Sequence, residues 1–365
     1  MFVSALLPEV FPVVVDANAL RDDLLRVASG RGRTLMLNAA NSGILRLYCA
    51  PHVLHEVDEH LDEWSAQRAL DPSVVRAAWD SDVAPLLRCV EVPDGLTIAV
   101  EQERLDFLAQ PPSTNRYCDP DDVPTATLAI LLNAALLSKD KAPLRAVYGE
   151  QHDHLAHAQW RDQLRAVGDL GPLGRLIGGL NSLLGLAASG VINGLAGTAR
   201  RVPWPWLVVG ALATAGAVRY LVTPETRRKV QATLGTGLSA VAASAAEIAA
   251  HREAARRQFE TLLPAQPGWS EITSYRSSAA TLIRASLYHL ARSPQSDLSA
   301  TELTDVLRQT NGFPRGETKV RAVLRREAAF YEPYRGRFQV GAAALRPGGA
   351  DGVEAVAMPS STPIP

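Results

Sequence analysis

Three acids of this chain, Asp16, Asp122 and Asp140, fall at the ends of expected secondary-structure elements, and a fourth, Glu56, lies at the edge of an apolar helix face. Magnesium prefers oxygen ligands and keeps several of its waters, so a set of Asp and Glu is the contribution a protein makes to holding it. An ion held in this way generates a nucleophile at neutral pH and relieves charge on a phosphate, which makes hydrolysis of an RNA phosphodiester the chemistry in view. Each acid also has a plainer reading. Asp122 precedes Pro124, which suits the first turn of a helix, so it could serve only to cap orphan amides. Glu56 could be an ordinary solvated carboxylate. It shares a helix face with His52 and His60, and histidines on so charged a helix are usually solvated as well. The ordered set of element-end acids is what favours a site over these separate explanations.

The elements that must position these acids alternate in type. Val13-Val14-Val15 reads as a buried strand ending at Asp16, followed by a helix over Leu20 to Val27. Leu47-Tyr48-Cys49 reads as a second strand, and Pro51 opens a helix to about Arg68. Asp71 to Leu87 reads as helical, Cys89 to Val92 as a strand, Asp122 to Asn133 as a helix, and Ala135 to Ser138 as a strand that delivers Asp140. Strands alternating with helices imply an α/β domain whose parallel sheet is covered on both faces. Ligand sites in open sheets of this class form beyond the carboxyl ends of the strands, where Asp16 and Asp140 fall.

Four segments resemble, in order and rough spacing, the motifs of PIN domains. They are Val13-Val14-Val15-Asp16-Ala17-Asn18, Tyr48-Cys49-Ala50-Pro51-His52-Val53-Leu54-His55-Glu56, Asp119-Pro120-Asp121-Asp122-Val123-Pro124-Thr125-Ala126, and Leu137-Ser138-Lys139-Asp140. The resemblance covers about the first 150 residues. It implies a flattened PIN-like α/β/α domain, Mg²⁺ or Mn²⁺ at the acids and phosphodiester hydrolysis on RNA, often in toxin–antitoxin or RNA-processing settings, hence an antitoxin-like partner. Asn18 and Ser138 match the family's helper positions. Asp119 competes with Asp122 as the third acid; Asp122 is preferred because it begins the helix carrying Thr125, Ala126 and Ala129.

The rest of the chain differs in kind. At 365 residues it exceeds what one core usually serves, and 47% hydrophobic with 21% charged residues reads as globular. A net charge of -1 excludes coating of nucleic acid by bulk electrostatics and leaves local basic patches. Cys49, Cys89 and Cys118 have neither metal-like spacing nor even pairing, and Met1 to Val10 lacks a cationic leader, so a cytoplasmic setting is expected. Four regions follow: 1–165, the PIN-like domain; 166–265, an apolar helical hairpin and spacer; 270–345; and 346–365, a disordered tail. The uncharged runs within 176–222 leave two readings open, a pair of membrane spans with both terminal domains in the cytoplasm, or a buried helical hairpin.

Region 270–345 reads as three helices and a β-hairpin, a small α+β winged helix. Ser299-Ala300-Thr301-Glu302 is a capping box for the second helix, and a turn holding Gly336 joins the hairpin. Lys319, Arg321, Arg325, Arg335 and Arg337 are its candidate nucleic-acid contacts, facing DNA or RNA; a protein partner is the other reading. Two functional classes result. One is a metal-dependent endoribonuclease with a C-terminal recruiting module. The other is a non-catalytic DNA-binding regulator built on a degenerate PIN scaffold.

Overall fold

The computed structural model describes residues 10–41, 45–149, 257, 260, 262–265, 267–275, 277–293, 295, 297–313 and 316–344. The apolar hairpin and spacer expected within 166–265 and the tail 346–365 therefore lie almost wholly outside the described residues, the 176–222 runs included. No helix among the described residues is long and apolar enough to cross a membrane.

The N-terminal part is built around strands β1 (Phe11–Val15), β2 (Leu45–Cys49), β3 (Leu87–Cys89) and β4 (Ala135–Leu137). They lie in the order β4-β1-β2-β3, all parallel, with Val13 opposite both Leu47 and Ala135. Helices α1 (Ala17–Ala28), α2 (Leu35–Asn41), α3 (Pro51–Gln67), α4 (Pro72–Ala78), α5 (Ala99–Leu108), α6 (Val123–Leu132) and α7 (Lys141–Tyr148) connect and cover them. Local chemistry accounts for several boundaries. Asp16 caps α1 with its side chain, and Pro51 and Pro72 occupy first-turn positions of α3 and α4, where a missing N–H costs nothing. The helix expected to run on to Leu87 stops at Ala78. A π turn (Trp79–Val83) and a 3₁₀ turn containing Pro85 intervene, and the strand begins at Leu87 rather than Cys89.

The C-terminal part holds α8 (Trp269–Tyr275), α9 (Ser278–Arg292), β5 (Leu298–Ser299), α10 (Ala300–Asn311), α11 (Glu317–Arg326), β6 (Phe330–Tyr334), β7 (Arg337–Val340) and β8 (Ala342–Ala343). Ser299 and Glu302 form the capping box of α10. β6 and β7 pair across Gly336, with Phe330 opposite Val340, and β5 adds to β7 in the order β5-β7-β6.

These two parts share one core. Val14, Tyr48, Leu128 and Leu136 belong to the same buried cluster as Leu282, Leu287, Leu303, Val320 and Phe338. β8 extends the parallel sheet as an antiparallel edge strand, with Ala342 opposite Cys89 and Ala343 opposite Arg88. The approach to that edge requires Gly341. Its φ is +67°, and a Cβ would meet the Cys89 carbonyl oxygen at 2.5 Å.

Charged groups close the seam. Arg284 of α9 donates twice to Glu101 of α5, at 2.6 Å each, with both side chains under 5% exposed. Glu101 also accepts from Ile98 N at 2.9 Å, and Arg284 reaches the Leu96 carbonyl at 3.3 Å. Arg46 of β2 donates to the carbonyls of Leu290, Ala291 and Ser293 at the end of α9, at 3.1, 3.3 and 2.9 Å. Arg292 in turn donates to Leu132 and Asn133 at the end of α6. Arg46 and Arg292 each meet carbonyls that a helix terminus leaves without internal partners.

Candidate active site

Asp16 leaves β1 at the carboxyl edge of the sheet and is 2% exposed. One oxygen accepts from Ala17 N at 2.7 Å as the cap of α1, and the other accepts from the Ser138 hydroxyl at 2.7 Å. Ser138 follows β4, the neighbour of β1 in the sheet, so its side chain meets Asp16 directly. Its oxygen also accepts from Asp140 N at 3.0 Å and from the Asn18 amide at 3.5 Å, which uses the one donor and both lone pairs of a hydroxyl. Asn18 accepts from Lys139 N at 3.0 Å and donates to the Asp140 carboxylate. The start of α1 and the turn after β4 are thus laced together through Asp16, Asn18, Ser138 and Asp140. Asp140 itself is exposed and opens α7 without a side-chain cap.

Asp122 and Asp119 divide their roles. Asp119 accepts from Asp121 N at 3.2 Å and so caps the 3₁₀ turn Pro120–Asp122. Asp122 ends that turn and precedes α6, but its side chain makes no cap bond. The capping explanation for Asp122 therefore fails: its backbone is already helical, and Asp119 takes the capping task. Asp122 is buried, and its carboxyl is pushed up to about 8, first by that burial and then by the charges of Asp16, Asp119, Asp140 and Glu56.

Glu56 is half-buried on α3, not freely solvated, and its pKa is raised by burial and by Asp16, Asp140 and Asp119, with His60 opposing. Burial likewise raises the pKa of Asp16, against the lowering bonds from Ser138 and Ala17. Five acids from four separate stretches of chain therefore act electrostatically on one another.

His52, read from the sequence as a solvated neighbour of Glu56, is half-buried. Its Nε2 lies 3.0 Å from the Thr125 hydroxyl, tying α3, which carries Glu56, to α6, which Asp122 precedes. Its spacing of four from Glu56 was the signal available in the sequence; the partner on α6 was not. Burial lowers the His52 pKa, with Asp121 opposing.

A set of oxygen donors is the right chemistry for a hard divalent ion, so the residues fit Mg²⁺ or Mn²⁺ by type. Among the described residues, however, no group of three or more His, Cys, Asp or Glu converges into a metal centre. The acids are within electrostatic reach of one another but are not drawn to a point.

The C-terminal candidates lie on α11 and at the β6–β7 hairpin. Arg321 pairs with Glu317 at 2.5 Å, and Arg325 makes a two-pronged bond with Glu332 at 2.8 Å on each arm. Arg337 pairs with Asp297 at 2.9 Å and faces Glu302 at 3.6 Å. Of the arginines expected to contact a partner, Arg321, Arg325 and Arg337 thus each meet a carboxylate of the same small module. Lys319, Arg326 and Arg335 are exposed and have no ion-pair partner among the described residues.

No curated protein and no solved structure matches the chain. Residues 14–154, which run from the strand before Asp16 to beyond the end of α7, match the family model of the PIN domain, and the N-terminal part of this chain is a PIN domain.

Proposed function

We propose that the protein is a divalent-metal-dependent endoribonuclease. PIN domains are typically nucleases, which supports a hydrolase role in general. The observation that carries the finer reading is the gathering of Asp16, Glu56, Asp119, Asp122 and Asp140 at one sheet edge, where burial and then the neighbouring acids push Asp122 up to about 8. A scaffold gains nothing from buried like charges, whereas a cation would relieve all of them at once.

A bound Mg²⁺ or Mn²⁺ would be held by Asp16, Asp122 and Asp140 with Glu56, and would supply an activated water and charge relief at the phosphate. The chain's own groups have the preparatory tasks. Ser138 and Ala17 N hold both oxygens of Asp16, while Asn18 holds Asp140. His52 fixes α3 against α6, which sets the separation of Glu56 from Asp122. Helices α9, α10 and α11 with the three-stranded sheet β5-β7-β6 support the reading of a winged-helix module that recruits RNA, DNA or a protein partner. Its internally paired arginines count against a purely DNA-binding regulator as the alternative.

The test is RNA cleavage by the purified full-length protein with Mg²⁺ or Mn²⁺, with and without chelator, beside Asp16→Asn. That substitution removes charge at nearly constant volume. Cleavage that needs the metal and falls to background in the variant is expected. Equal cleavage in excess EDTA would overturn the proposal.

A further inference from the structure

Cys49 and Cys89 are far apart in sequence, and the parallel register of the sheet brings them together. Each is the last residue of its strand, β2 and β3, and the two are Cα partners across the ladder. The Val90 amide donates to the Cys49 carbonyl at 2.9 Å, so the strands are still paired where the cysteines sit. Partners in such a ladder turn their side chains to the same face, and neighbouring strands lie about 4.8 Å apart. A disulfide needs Cα atoms within roughly 4.4–6.8 Å and side chains directed alike, which this pairing supplies. Both thiols are free.

The two sulfurs are not equivalent. Cys49 is fully buried, whereas Cys89 is partly exposed. Hydrogen bonding from the Cys49 thiol lowers the Cys89 pKa, against burial and Glu91. The same bond raises the pKa of Cys49, and burial raises it further. Cys89 is therefore the thiol that ionises first and that a reagent in solution reaches, while Cys49 stands beside it with its proton held. An accessible thiolate next to a second thiol is the arrangement of reversible dithiol oxidation. Metal binding is the other use of paired thiols. A structural zinc takes four ligands, and among the described residues no third His, Cys, Asp or Glu joins this pair. Cys118, buried ahead of the Pro120–Asp122 turn, belongs to no such group either.

We propose that Cys49 and Cys89 form a redox modification site that closes to a disulfide when a peroxide reaches Cys89. The Cys89 thiolate attacks one peroxide oxygen and the O–O bond breaks. Cys89 becomes a sulfenic acid, and the second oxygen leaves as hydroxide, which takes up the proton that Cys89 had released. The Cys49 sulfur then attacks the Cys89 sulfur, the S–O bond breaks, and the departing hydroxide takes the Cys49 proton. Two thiols lose two electrons in all, and one peroxide gains them to become two waters. The new bond joins the end of β2, from which α3 departs with Glu56, to the strand that receives β8. It does not rest on the nuclease reading, because it is read by mass rather than by cleavage.

Trypsin places the three cysteines in separate peptides, so each pairing has its own mass. Full-length protein is treated with dilute hydrogen peroxide at neutral pH, quenched, unfolded with iodoacetamide present and digested without reduction. The expected product is a linked pair of the Cys49 and Cys89 peptides, lighter by two hydrogens than the two reduced peptides together, with Cys118 recovered alkylated. Dithiothreitol added before alkylation should restore both thiols. Cys49→Ala leaves Cys89 without a second thiol, so its sulfenic acid should persist and take up dimedone several-fold more than in the wild type. Cys89→Ser should leave Cys49 reduced under the same treatment. Wild type unfolded in urea before the peroxide should scatter its links over all three cysteines, a control that does not depend on any variant folding. Cys49 and Cys89 both recovered as thiols from folded wild type, or links that run to Cys118 as often as in the unfolded chain, would overturn the inference.

Discussion

Two places in this molecule bury carboxylates, and they treat them oppositely. At the seam, Glu101 is as buried as Asp16, yet it meets the fork of Arg284 and the amide of Ile98, and every oxygen has a donor. At the sheet edge, Asp16, Glu56 and Asp122 act on one another together with Asp119 and Asp140, and His60 only partly opposes the raised pKa of Glu56. Burying charge is costly in either place. The seam offsets the cost within the fold and gains a specific docking of α9 on α5. The acid cluster leaves it standing, as expected where the compensating charge is supplied from outside.

The strongest way to break this comparison is to remove one member of the satisfied pair. Arg284→Ala would leave Glu101 buried without its partner, and such losses run to about 3–5 kcal/mol. Replacing both together, Glu101→Leu with Arg284→Met, should recover most of that. Urea unfolding followed by tryptophan fluorescence measures it. Because the core is continuous across the seam, the described parts should unfold in one transition; a single-alanine variant as stable as wild type would make the pair ornamental.

The acid cluster should respond in the opposite sense. In the unfolded chain the Asp122 carboxyl ionises near 3.8, and in the folded protein near 8. Between these values the folded state holds a proton that the unfolded state has released, so stability falls as pH rises through the window and levels off above it. Asp16 and Glu56 shift in the same direction and add to the slope. Asp122→Asn should therefore stabilise the metal-free protein at pH 8 by on the order of a few kcal/mol and flatten its pH dependence. Mg²⁺ should stabilise the wild type at pH 8 and the variant much less. Melting temperatures in EDTA and in Mg²⁺ across this pH range decide the matter.

The same contrast explains what could be read in the sequence. β1, β2, β4, α3 and α6 announce themselves through apolar runs, prolines at first turns and acids at strand ends, all local signals. α5 does not. Its inner face carries Glu101 with Leu105 and Leu108, and a charged residue turned inward defeats a search for an apolar stripe. What makes that face possible is Arg284, far along the chain. β8 is equally silent, because two residues show no alternation and its pairing depends on Gly341 approaching Cys89. In the site, Asp16, Asp122 and Asp140 were legible as element ends and Glu56 by its place at the edge of an apolar helix face. The contact of His52 with Thr125 was not, since it joins residues from different elements.

The smallest expected effect sits inside the acid cluster, at the one hydroxyl that partly offsets it. Ser138 donates to Asp16 at 2.7 Å while accepting from Asp140 N, so it favours the ionised form of Asp16 and orders the turn after β4. Ser138→Ala leaves volume nearly unchanged but removes a bond to a charged acceptor, of order 1.5 kcal/mol and more when buried. The size of the loss depends on protonation. With Asp16 ionised the variant loses the full bond. With Asp16 protonated, the form that burial favours towards low pH, a neutral carboxyl needs that donor less, and only the Asp140 amide misses its acceptor. The destabilisation should therefore grow with pH, opposite to the effect of Asp122→Asn, and Mg²⁺ should reduce it by supplying charge to the same oxygen. A loss independent of pH would mean that Ser138 serves the turn alone and does nothing to temper the cluster.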